Sequence, residues 1–160
     1  GYTPRSYLGA SATVTITVTP PASFTATNLT LSRNTAFTST INGSSYKFYP
    51  LEDVTTAAQV VDGVTKFIFS DLIIKEGARI ANQFVVTAAS PQGPYVIPNE
   101  SVDVSTIRAR VQTSLSDTSL TTWSKVSTLL DVKNDSRVYW VEEGIYGLSQ
   151  LRVGDGVLGQ

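Results

Sequence analysis

The chain has 160 residues, with twelve Lys and Arg against thirteen Asp and Glu for a net charge of −1, and neither cysteine nor histidine. Without them there is no disulfide or thiolate-metal framework, no Ser-His or Cys-His nucleophile pair, and no side chain that ordinarily titrates near neutral pH. The near-balance of charge gives no basic stripe for nucleic acid, and no run approaches the roughly 18–20 apolar residues that cross a membrane.

Ser and Thr make up about a quarter of the chain, and Thr sits mainly inside valine- and isoleucine-rich runs. Such β-branched residues fit a pleated sheet. The chain also lacks methionine, even at position 1, and shows no signal peptide. We therefore expect an internal piece of a longer protein.

Alternation of period two runs from end to end. Val14, Ile16 and Val18 oppose Thr13, Thr15 and Thr17, which predicts a half-buried strand over Ala12–Thr19, ended by Pro20-Pro21. Asn42-Gly43, between Ala36–Ile41 and Ser44–Tyr49, predicts a two-residue hairpin in which Ile41 faces Ser44, Ser39 faces Tyr46 and Phe37 faces Phe48. Asp62-Gly63 predicts a second hairpin, from Val60-Val61 into Thr65–Ile74. Read by strict alternation, that run puts Phe67 and Phe69 on one face and Ile68, Leu72 and Ile74 on the other, so it should be covered on both faces or by a partner.

Glu76-Gly77 should turn the chain into a strand over Arg79–Thr87, and the Pro- and Gly-rich Ser90–Pro98 reads as a connector. Ser105–Thr113 alternates, with Ile107, Ala109 and Val111 inside and Arg108, Arg110 and Gln112 outside. Leu120–Val126, Arg137–Glu143 and Leu148–Val153 complete the expected strands. Ser127–Asp135 reads equally as a helical turn or an apolar loop. About nine or ten short strands and little helix predict an all-β, sandwich-like antiparallel fold. It divides into a first β unit over 1–92 with the Asn-Gly hairpin and a second over 93–160.

Few residues suggest chemistry. Ser124 and Lys125 are adjacent on a strand, so they point to opposite faces. Glu142-Glu143, the contiguous acidic pair, diverges in the same way and reads as a strand end rather than the acid and base of a glycosidase. Gly154-Asp155-Gly156 supplies too few oxygens for calcium and reads as a tight turn, like Asn42-Gly43 and Asp62-Gly63. We expect no catalytic residue, cofactor, metal site or small-molecule substrate, and no nucleic-acid or membrane partner. The candidate interface comprises Ile68 and Leu72 on the doubly apolar run, exposed Arg108 and Arg110, and Tyr139 and Val141 on a strand that is apolar on both faces.

The second half carries a resemblance. Tyr95-Val96-Ile97-Pro98-Asn99-Glu100-Ser101-Val102-Asp103 leads into Ser105-Thr106-Ile107-Arg108-Ala109-Arg110-Val111-Gln112, followed by Asp117-Thr118. Then come Ser136-Arg137-Val138-Tyr139-Trp140-Val141-Glu142-Glu143 and Val153-Gly154-Asp155-Gly156-Val157-Leu158-Gly159. This order resembles the baseplate wedge proteins of contractile-tailed, T-even-type bacteriophages and their baseplate-J-like relatives. Gly1-Tyr2-Thr3-Pro4-Arg5-Ser6-Tyr7 and Glu52-Asp53-Val54-Thr55 are similar to the same family. Val153 departs from it, standing where Phe is common.

The resemblance implies a fragment of a structural wedge subunit, several times longer in full. It would sit in the virion's tail baseplate after assembly in the host cytoplasm, and contact other copies of itself and other baseplate wedge proteins. The alternative from a different class is a carbohydrate-binding or adhesin-type β-sandwich module, for which Trp123, Tyr95 and Tyr146 are the candidate aromatic platform.

Overall fold

The computed structural model describes residues 7–128, 132–133 and 135–154. The described chain is built of antiparallel strands with one short parallel pairing, and its helical content is two single 3-10 turns, Val104–Thr106 and Ile145–Gly147. It forms two compact units, one spanning Gly9–Ile80 and the other containing the chain from Ala81 onward.

In the first unit six strands form one sheet: β1 (Ser11–Val18), β2 (Asn28–Leu31), β3 (Phe37–Ile41), β4 (Ser44–Pro50), β5 (Val54–Val61) and β6 (Val64–Glu76). β6 is the spine. One of its edges pairs with β1 along most of its length. The other is shared, first by β5 through Ala58–Val61 and then by β4 through Phe48–Pro50. β2 and β3 close the outer sides of β5 and β4.

Both hairpin turns form where expected. Asn42 and Gly43 have φ of 50° and 80°, and Asp62 and Gly63 have 53° and 76°. Two consecutive positive φ values make a type I′ turn, whose twist matches that of the flanking strands. The register places Ile41 opposite Ser44, Ser39 opposite Tyr46 and Phe37 opposite Phe48.

Along β6 the strict alternation fails, for a physical reason. Ile16 pairs with Phe69 but Val14 pairs with Leu72, so β6 carries one extra residue across this step. Asp71 sits there with φ 54°. A residue in the left-handed region at a β-bulge reverses the facing of every later side chain on that strand. Phe67, Phe69, Leu72 and Ile74 therefore share one face and are all buried, while Ile73 is turned outward. The expectation that this run is apolar on both faces is thereby corrected. Burying Phe67 and Phe69 contributes about 1.5–3 kcal/mol each, and Phe24 adds an edge-to-face contact to Phe67 at 5.6 Å.

The second unit holds β7 (Tyr95–Val96), β8 (Arg110–Val111), β9 (Thr121–Thr122), β10 (Ser124–Lys125), β11 (Val138–Glu143) and β12 (Ser149–Val153). β10, β11, β12 and β7 make one sheet in that order, and β8 pairs with β9. Buried Tyr95, Tyr139 and Val153 form its core, against which Ile107, Ala109, Trp123, Val141 and Leu151 pack.

Three expectations change here. Ser90–Pro98 is not a connector: Tyr95 is a core residue and β7 pairs with β12, and the units part at Ile80 instead. The run from Arg79 to Val86 has no strand pairing. Within Ser105–Thr113 only Arg110–Val111 is strand, although the expected burial alternation holds, with Ile107, Ala109 and Val111 half-buried and Arg108, Arg110 and Gln112 exposed. In the ambiguous segment Ser127–Asp135, residues 129–131 and 134 lie outside the described residues.

Candidate functional site

The six candidate interface residues separate into three kinds. Leu72 and Tyr139 are 5% and 2% exposed, so they belong to the cores and cannot be a free surface. For Leu72 the bulge at Asp71 is the reason. For Tyr139 the reason is that β11 is a central strand, with β10 on one side and β12 on the other. The Tyr139 hydroxyl donates to the Ile107 carbonyl at 2.7 Å. Burial pushes this hydroxyl up from the usual tyrosine value, against the lowering influence of the Ala109 backbone and Arg108, so it stays a neutral donor. Ile68 and Val141 are partly buried, and Arg108 and Arg110 are exposed.

On the face of β11 opposite Tyr139, Glu142 gathers a polar cluster. Its carboxylate accepts from Trp140 Nε1 at 2.7 Å, Gln150 Nε2 at 3.1 Å and Arg152 Nε at 2.8 Å. The strand register assembles it, since Trp140 is opposite Arg152 and Glu142 is opposite Gln150. Burial works to raise the Glu142 carboxyl, but the three hydrogen bonds and the Arg152 charge together outweigh it and hold it below the usual glutamate value. Glu142 is thus a structural tie, not a solvated strand end, while Glu143 is exposed and diverges from it as expected. A carboxylate with three satisfied donors has little left for a substrate.

Lys125 donates to the Val104 carbonyl at 2.6 Å. Desolvation pushes its ammonium down from the usual lysine value, against the opposing charge of Asp103. Asp53 and Asp117 are held low mainly by hydrogen bonds, the first from the Arg33 backbone and the second from Ser119. Both stabilise loops: Asp53 accepts from Arg33 N at 2.7 Å, and Asp117 ties Thr113 to Ser119. Among the described residues no three acidic side chains stand close enough together to hold a metal ion.

The aromatic residues do not form one exposed platform. Tyr95 is buried and donates toward the Ser90 and Pro91 carbonyls, and Trp123 packs on the same core. Of these three, Tyr146 projects, 93% exposed, with φ 64°. Two shallow depressions of about 300 and 230 Å³ flank β10 and β11. The larger is lined by Val126, Val132 and Val138 together with Lys125, Ser127, Thr128 and Ser136. Of the Gly154-Asp155-Gly156 turn, Gly154 is buried and the other two residues lie outside the described residues.

Sequence reasoning missed one exposed apolar segment. Ile80, Phe84, Val85 and Val86 are 62%, 41%, 73% and 56% exposed in a run that belongs to no strand. Its β-branched residues had suggested a paired strand. The available signal was the run Phe84-Val85-Val86 itself, three consecutive apolar residues that alternation cannot place on one face.

No protein-family model matches this chain, and no curated protein is significantly similar to it.

Proposed function

We propose that this chain is a structural assembly module, a fragment of a baseplate wedge subunit of a contractile phage tail, acting through protein–protein contacts. The observation that supports it best is Val85 and Val86, largely exposed outside any strand, beside a Phe84 ring that packs on Tyr95 at 5.5 Å. Exposed apolar clusters of this kind favour a macromolecular partner. The phage setting rests on the sequence resemblance, carried mainly by the second half and also by Gly1–Tyr7 and Glu52–Thr55. In this reading the partners are further copies of the chain and other wedge proteins, and the place is the virion.

Val85→Asp with Val86→Asp in the parent protein tests the reading. Both side chains are exposed, so the fold should hold and the melting midpoint should stay within about 2–4 °C. Tail particles should fail to incorporate the variant. Normal incorporation would remove this segment as the contact surface. A carbohydrate-binding module would instead show millimolar or tighter glycan binding dependent on Tyr146, and such binding would overturn the assembly reading.

A further inference from the structure

The sheet of the first unit has an edge that is matched to itself. β1 pairs with β6 alone among the described strands. Its eight residues, SATVTITV, include no charge and no proline. Those are the devices that normally protect an edge from pairing. The other outer strands of this sheet, β2 and β3, are shorter, at four and five residues.

The backbone of β1 shows which groups face outward. Glu76 N donates to the Ala10 carbonyl at 2.7 Å, so the even-numbered residues turn their peptide groups toward β6. Hydrogen-bonding direction alternates along an antiparallel strand. The extra residue of the bulge lies on β6, so the alternation of β1 is unbroken. Thr13, Thr15 and Thr17 therefore direct their N–H and C=O groups away from the sheet. Their side chains are exposed as well.

We propose that β1 pairs antiparallel with β1 of a second copy, about a two-fold axis passing through Thr15. In this register Thr15 meets Thr15, Thr13 meets Thr17, and Val14 meets Ile16. Three properties agree in it. The outward backbone groups are brought into hydrogen-bonded pairs, about six bonds in all. Thr meets Thr on the outer face, a favourable cross-strand pairing. The Val and Ile side chains of both copies continue the apolar face that carries Phe67, Phe69, Leu72 and Ile74. A shift by one residue would put Thr against Val or Ile and leave the outward peptide groups out of step. The two-fold contact is also closed, so it ends at two copies rather than running on as a fibre.

The partner named here rests on the assembly reading, yet the two fail separately: a wedge subunit can join a baseplate without this pairing, and the pairing can form outside a tail. Sedimentation of the 160-residue chain at rising concentration gives the test, alongside Thr15→Lys and Thr15→Glu variants whose folding is checked by circular dichroism. The wild type should form a dimer, and its Thr13, Thr15 and Thr17 amides should gain exchange protection with concentration. Each variant alone should dimerise about tenfold more weakly, because like charges meet at the axis. An equimolar mixture of the two variants should recover the dimer. A wild type that stays monomeric up to about 1 mM, a threshold for even weak association, would overturn the proposal. So would single variants that dimerise as well as the wild type, or a mixture that does not recover.

Discussion

Gly43 combines φ of 80° with a neighbour, Asn42, also at positive φ. A Cβ there meets no atom, so space does not forbid a side chain. The backbone does: a β-branched residue resists this conformation. Gly43→Val should cost on the order of 1–3 kcal/mol, read as a lower denaturant midpoint, and an unchanged midpoint would mean that the turn tolerates strain. Glu142 gives a pH dependence. Its folded carboxyl is held below the ordinary value of 4.5 despite burial, so the unfolded chain takes up the proton first as pH falls. The stability this group contributes is present above about pH 4.5 and is lost as pH drops through the folded value. The group is partly exposed, so the contribution is modest. Glu142→Gln should therefore flatten the acid limb of the stability curve relative to the parent chain. An identical acid limb would show that the tie to Trp140, Gln150 and Arg152 has no net worth.

At the scale of elements, the hairpins and the period-two strands of the first unit were legible because their signals are local. Asn-Gly and Asp-Gly specify their own turns, and Val14, Ile16 and Val18 specify a face. The bulge was not legible. Asp71 is a residue type disfavoured in strands and tolerant of the left-handed backbone it adopts, but which strand pairs across it, and with what register, is seen only in the pairing of β6 with β1. Alternation counted across that point assigns Leu72 to the wrong face. The same limit applies to β11, where two apolar faces mean either a central strand or an interface, and only the neighbours β10 and β12 decide. Ser90–Pro98 was misread for its composition: prolines and glycine suggest a loop, yet Tyr95 anchors a core. A paired substitution checks the bulge directly. Leu72→Ala should cost about 2–5 kcal/mol as a buried truncation, and Ile73→Ala should stay within about 0.5 kcal/mol as a surface change. Equal costs would mean that the facing does not reverse at Asp71.

For the molecule as a whole, the all-β class followed from composition and periodicity, and the described strands agree with it. The candidate interface was less legible. Burial of individual side chains depends on strand order, which the sequence does not carry, and so Leu72 and Tyr139 move into cores while Phe84, Val85 and Val86 emerge as exposed. Among the described residues, what remains outside includes the uncharged edge strand β1 in the first unit and the exposed Val85 and Val86 in the second. Under the proposed function, each of these features meets another subunit in an assembled tail. Cross-linking mass spectrometry of purified contractile tails tests it most directly, using the exposed Lys47 and the half-buried Lys66 and Lys75 of the first unit as reporters. This chain's peptides should appear in the particle, linked to other copies and to neighbouring wedge proteins. Tails that contain no peptide of this chain, or contain it with no link to any baseplate protein, would contradict it.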